Sequence, residues 1–273
     1  MALSSRLSCG HVCDNSSELN PSELGTKTYW EEAYQDELSN FTSHGDVGEV
    51  WFGSKNEHRV TTWMLQHAEK ASHILDIGCG NGHLLIHLAK EGFTNLTGVD
   101  FIENAVTLAR KLAAKEAVVV LFEVGDILEQ ELPCPCFSRK YDFVLDKDPC
   151  NLLRSVEEML LSLWCGQHDP HLVSLPNFLS DCAERTYDAI SLCPDNPQEK
   201  RMHYLQVVSR ILAPGGHFVI VSCNWTQEEL TDHFDRELVL VDTIPTPTFS
   251  FGGSQGRSVT ALVFGFKSSR VKT

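Results

Sequence analysis

Three glycines and four aspartates stand where a ligand site would need them. Gly78, Gly80 and Gly82 in "ILDIGCGNG" follow an apolar run and open a helical one. Glycines there let the backbone turn tightly and approach a ligand closely. Asp76 precedes the loop, Asp100 closes "NLTGVD", Asp126 follows "EVG", and Asp146 ends "YDFVLD". A carboxylate at position 100 can accept two hydrogen bonds from a ribose diol. Asp126 is placed to contact an adenine amino group, and Asp146 to lie near the reacting group. Taken singly, each aspartate reads equally well as a helix cap or loop residue. At successive strand ends, they point to a ligand lying across the carboxyl edge of a sheet.

Two ligand classes suit such an edge. A dinucleotide site wants G-x-G-x-x-G with pyrophosphate on the helix N-terminus. Here the pattern is G-x-G-x-G, and His83 stands three after Gly80. Asp76 also suits a ligand bearing an ammonium better than one bearing phosphates. The loop therefore favours S-adenosylmethionine over a nicotinamide dinucleotide, a ligand-free glycine turn being the bland alternative. Cys79, Phe101 and Ile127 adjoin these positions and complete the expected cofactor-binding set from the loop and strand ends.

The elements around these residues alternate. Helical spacing marks 26–41, about 57–68, 82–91, 102–115 and 198–212. The strands are "HILDIG", "NLTGVD", "VVVLFEVGD", "YDFVLD" and "HFVIVSC", then "LVLVDTIP" and "SVTALVFGFK". Strand–helix alternation implies a parallel sheet. The last two strands are joined by the Gly-rich loop "FSFGGSQGRS", too short for a crossover helix, and imply an antiparallel edge. Residues 1–22 read as a mobile tail, and 23–273 as one α/β domain.

A length of 273 residues allows such a domain with a full core. The net charge of −15 argues against nucleic acid as a partner and fits a small-molecule substrate or a basic protein. No apolar run approaches a membrane span. Ten cysteines without a secretory leader read as reduced thiols in an intracellular protein, cytoplasmic and also nuclear. No metal is expected. Cys9, His11 and Cys13, and Cys165, His168, His171 and Cys182, lack standard ligand spacing.

Beyond the glycine loop, the stretches "YWEEAYQDEL", "GEVWFG", "YDAISLCPDN", "SCNWTQEEL" and "PTPTFSFGG…SVTALVF" are far more specific. Through them the chain resembles class I S-adenosylmethionine-dependent methyltransferases, and among these the elongation factor 1-alpha lysine methyltransferases, from about Leu24 to Phe266. The resemblance implies a seven-stranded sheet of order 3-2-1-4-5-7-6 and a lysine on that factor as substrate. It also implies an N-terminal helix that covers the cofactor with Tyr29 and Trp30, and a monomer. The expected catalytic residues are Asp146, orienting or accepting from the substrate ammonium, Asn224, and Trp225 as a channel wall. Helix packing is the alternative for Tyr29, Trp30 and Trp225. The chain departs from the family at one place. There Asp-Lys runs through Gly-Thr directly into "YDAISL", whereas here 148–185 intervenes. The segment reads as an alternatively spliced or mis-joined excursion, or else as a substrate-binding lid, and beside Asp146 it is expected to leave cofactor binding intact and to weaken or abolish transfer.

Overall fold

The computed structural model describes residues 18–48, 53–147, 186–251, 254–257 and 259–267. The possible metal ligands of the N-terminal tail and the segment 148–185 lie outside them.

Before the sheet come α1 (Lys27–His44) and α2 (Ser54–His67). Then β1 (His73–Ile77), α3 (His83–Lys90), β2 (Asn95–Asp100), α4 (Glu103–Lys115), β3 (Leu121–Val124) and β4 (Tyr141–Lys147) alternate. After the segment come α5 (Thr186–Ser191), α6 (Pro197–Ile211), β5 (Leu212–Ser222), α7 (Gln227–Phe234) and β6 (Leu238–Thr243). The chain ends in β7 (Thr248–Phe251), β8 (Ser254–Arg257) and β9 (Thr260–Phe266). The seven-stranded sheet has the order β3-β2-β1-β4-β5-β9-β6. This is the expected order, with its last strand ninth in the chain because a hairpin intervenes. β1 to β5 run parallel, and β9 lies antiparallel between β5 and β6. The Gly-rich loop is itself that hairpin, with β7 paired to β8.

The central strands are apolar on both faces, as strands covered by helices on each side must be. One core cluster joins Trp30, Trp63, Leu85 and Leu108 to Ile74, Phe143 and Val219. The other joins Tyr204, Ile211, Leu230 and Phe234 to Leu75, Val144 and Phe218. Helices α1 to α4 thus cover one face and α5 to α7 the other. In α4, Ala105, Leu108, Ala109 and Leu112 form the buried stripe. A capping box, with Thr226 and Glu229 bonded reciprocally, starts α7 directly after β5. β5 begins five residues earlier than "HFVIVSC" suggested, because Tyr141 pairs with Leu212 before the register shifts at Phe143. Residues at the end of the expected tail are held against the domain. Glu18 meets Arg201 at 2.7 Å, and the Ser22 amide donates to the Leu192 carbonyl.

Candidate active site

Parallel pairing puts the carboxyl ends of β1 to β5 on one edge, which carries the predicted residues. The glycine loop follows β1. Gly78, Gly80 and Gly82 all have positive φ, at 62°, 55° and 75°. Side-chain-bearing residues pay a steric cost in this region. Gly82 also has no room, since a Cβ there would lie 2.5 Å from the Phe122 ring. Cys79 contributes backbone, its amide donating to the Val99 carbonyl at 3.0 Å. Its thiol is buried, and burial followed by Asp100 and Asp76 pushes its pKa up.

Asp100 braces this loop. One carboxylate oxygen accepts from the Gly80 amide and the other from the Ile102 amide, each at 2.9 Å. The neighbouring Phe101 lines a cavity of about 200 Å³ together with Trp30, Asp126, Leu128, Ile190 and Lys200. The Trp30 indole N–H donates to the Leu24 carbonyl at 2.9 Å, which fixes the ring on the cavity wall. Asp126 is steadied by the Leu128 amide at 2.8 Å. The structure thus brings Trp30, Phe101 and Asp126 together. Ile127 is 3% exposed and belongs to the core behind them, so its side chain does not reach the cavity. The loop glycines and Asp76 lie outside the walls of this cavity, and Asp100, bonded to the Gly80 amide, precedes Phe101 on its wall.

The end of β4 serves both faces of the sheet, because adjacent strand residues point oppositely. Lys147 turns toward the α1–α4 face and pairs with Asp76 at 2.7 Å, both side chains almost fully buried. Asp76 was expected to meet a ligand's ammonium; the ammonium beside it here is the chain's own. Asp146 points to the other face and is 1% exposed. Its Oδ2 accepts from the Tyr204 hydroxyl at 2.5 Å and from the Tyr187 amide at 3.2 Å. Asp146 therefore clasps α5 and α6 to the strand end. The expectation was a carboxylate presented to substrate or cofactor, whereas the oxygen Oδ2 is turned to α5 and α6.

A second carboxylate organises the end of β5. Asp188, buried in α5, accepts from the Ser222 hydroxyl at 2.9 and 3.0 Å and from Asn224 Nδ2 at 2.9 Å. Ser222 Oγ in turn accepts from the amides of Asn224 and Trp225 at 3.1 and 3.0 Å. Asn224 stays partly exposed, with Nδ2 committed to Asp188. Trp225 is 4% exposed. Its indole N–H donates to Ser191 Oγ, Arg201 lies 5.4 Å over its ring, and His233 meets it edge-on. These contacts make Trp225 a packing residue and not a channel wall. His233 accepts or donates at Tyr187 Oη, 2.8 Å away, and burial, with Arg201 adding to it, lowers its pKa. Asp188, Ser222 and Lys147 were assigned no role from sequence. The signal for the first two lay inside "YDAISL" and "SCNWT", where a serine two before an asparagine is a turn signature.

A methyltransferase-domain family model matches residues 68–248. The chain is 37% identical over 258 residues to EEF1A lysine methyltransferase 2 of Danio rerio, covering 94% of this chain and 93% of that protein. The chain belongs to the EEF1A lysine methyltransferase 2 family. Another similar protein is protein-lysine N-methyltransferase efm4 of Schizosaccharomyces pombe, 33% identical, with 91% of this chain and 96% of that protein covered. Among solved structures, a TehB-like SAM-dependent methyltransferase from Corynebacterium glutamicum superposes with a TM-score of 0.51 at 18% identity. It covers 88% of this chain and 100% of that one, and supports the fold alone. Among the described residues no helix is long and apolar enough to cross a membrane.

Proposed function

We propose that this chain transfers methyl groups from S-adenosylmethionine to a lysine of translation elongation factor 1-alpha. The observation that carries this is the aromatic and acidic cavity of Trp30, Phe101 and Asp126, joined through Asp100 to a positive-φ glycine loop, in a chain of the EEF1A lysine methyltransferase 2 family. An adenosine fits these residues. Trp30 and Phe101 offer apolar faces, Asp126 accepts from the adenine amino group, and Asp100 accepts from the ribose hydroxyls. When bound, S-adenosylmethionine supplies a methyl group already activated by its sulfonium.

The remaining work is positional. A lysine ammonium must lose a proton, which costs about 4 to 5 kcal/mol at neutral pH. Asn224 Oδ1, aimed by the Asp188–Nδ2 bond, accepts one N–H of the amine and fixes its direction. Alignment of this kind provides much of the rate. Asp146, Tyr187 and Tyr204 hold α5, and with it Asp188, at the strand end. Asp188 is thus a positioning residue. The test is labelled methyl donor added to a dialysed eukaryotic extract with the purified chain. Label in a protein of the elongation factor's size supports the reading, and label in small molecules alone overturns it.

A second reading concerns the segment 148–185. Asp146 reaches Tyr187 across 41 positions, so the two ends of the segment are held together. Loop length costs only about 0.6 kcal/mol per doubling. The fold and cofactor binding therefore tolerate the segment, and from its place directly after the Asp146–Lys147 strand end we infer that it slows transfer. Replacing 148–185 by one glycine should raise turnover at unchanged cofactor affinity, and equal turnover would remove this reading.

A further inference from the structure

Away from the candidate active site, three metal-ligating atoms converge under the loop that follows β3. The sulfurs of Cys134 and Cys136 lie 2.9 Å apart, and Cys134 Sγ lies 3.3 Å from Glu123 Oε2. All three ligand atoms fall within 4.8 Å of one another. Pro135 opens a 3-10 turn, Pro135–Ser138, that folds the two flanking thiols toward one point. We propose that Glu123, Cys134 and Cys136 bind a single thiophilic divalent ion of the zinc class.

The donor chemistry suits that class. Zinc takes thiolates at about 2.3 Å and carboxylate oxygens at about 2.0–2.2 Å in tetrahedral sites. The sulfurs must separate slightly to admit the ion, and solvent supplies the fourth ligand. Its path is on the Glu123 side, where that side chain is 17% exposed while both cysteines are buried. The charges close as well. One divalent cation, two thiolates and one carboxylate sum to −1, and the Arg139 guanidinium, 3.6 Å from Glu123 Oε1, brings the assembly to zero. A neutral assembly is what a buried site tolerates. Without the ion both thiols stay protonated, burial pushing each pKa up. Binding therefore releases two protons to solvent, as ion entry at thiols requires.

The ion site adjoins the turn that carries Asp126. A Cβ on Gly125 would lie 2.6 Å from the Cys134 Cβ, so the turn that carries Asp126 rests on this cysteine. Parting the sulfurs moves that seat. Ion occupancy then changes cofactor affinity; this consequence rests on the proposed cofactor site, whereas ion binding itself does not.

The test titrates cadmium ion, a zinc surrogate, into the full chain kept reduced by a phosphine. Thiolate-to-cadmium absorption and calorimetric stoichiometry are followed together. One ion per chain is expected, with the band lost in C134S and C136S. Glu123→Gln keeps both thiols and should weaken binding at least as much as loss of an outer-shell partner, about 10–100-fold. Near-ultraviolet circular dichroism confirms that each variant is folded. Cadmium absorption unchanged in all three variants, or a Cys134–Cys136 disulfide in place of ion uptake, would overturn the site.

Discussion

At the scale of single residues, the proposed roles are that Asn224 orients the substrate amine and Asp188 orients Asn224. Asn224→Ala should lower kcat by about 100-fold, the order expected when a reacting group is misaligned by an ångström. Cofactor affinity measured by calorimetry should not move, because Asn224 lies outside the adenosine cavity. Asp188→Asn should lower kcat as well, without itself touching substrate. An unchanged kcat in Asn224→Ala would show that the amide does not orient the amine. The glycine loop gives a second comparison. Gly45 and Gly82 have nearly equal φ, 72° and 75°, but a Cβ on Gly45 meets nothing within 4 Å. Gly45→Ala should cost only the left-handed backbone penalty, about 1–2 kcal/mol. Gly82→Ala should add about 1–3 kcal/mol of overpacking against Phe122. Urea unfolding of both variants checks the difference; equal losses would show that Phe122 yields freely. That Trp30, Phe101 and Asp126 share one cavity could be anticipated from their places at strand ends and on the N-terminal helix, while their ligand roles belong to the proposal. The packing of Trp225 could not, since its surroundings come from α5, α6 and α7, which no local pattern reports.

At the scale of elements, the end of β4 is where the site is built. Two adjacent residues face opposite sides of the sheet and tie it to different partners. Lys147 locks β4 to β1 beneath the glycine loop, and Asp146 holds α5 and α6. Lys147→Met would leave the Asp76 carboxylate buried without its ion-pair partner. Breaking a buried pair from one side typically costs about 3–5 kcal/mol. The Asp76→Asn/Lys147→Met double variant should recover much of that loss. A single-variant loss below about 1 kcal/mol in urea unfolding would mean that the pair is not the anchor described. The alternation of strands and helices made β1 to β4 readable, but not this division of labour. Tyr187 and Tyr204, which bond Asp146, lie beyond 148–185, and a periodicity argument carries no information across such a separation. The β7–β8 hairpin was hidden for another reason: its glycines and serines read as loop.

At the scale of the whole molecule, sheet order and function meet at one edge. The order β3-β2-β1-β4-β5-β9-β6 sets five strand ends side by side and leaves the antiparallel pair to close the far side. This order was legible because the family's motifs run along almost the whole chain. The net charge of −15 suits encounter with a basic protein surface. The account as a whole is tested most directly by peptide mass spectrometry of purified elongation factor 1-alpha after incubation with this chain and S-adenosylmethionine. Methylation confined to a lysine, dependent on the donor and sharply reduced with Asn224→Ala, is the predicted result. Unmodified lysines under conditions where calorimetry shows the donor bound, or methyl groups on another residue type, would contradict it.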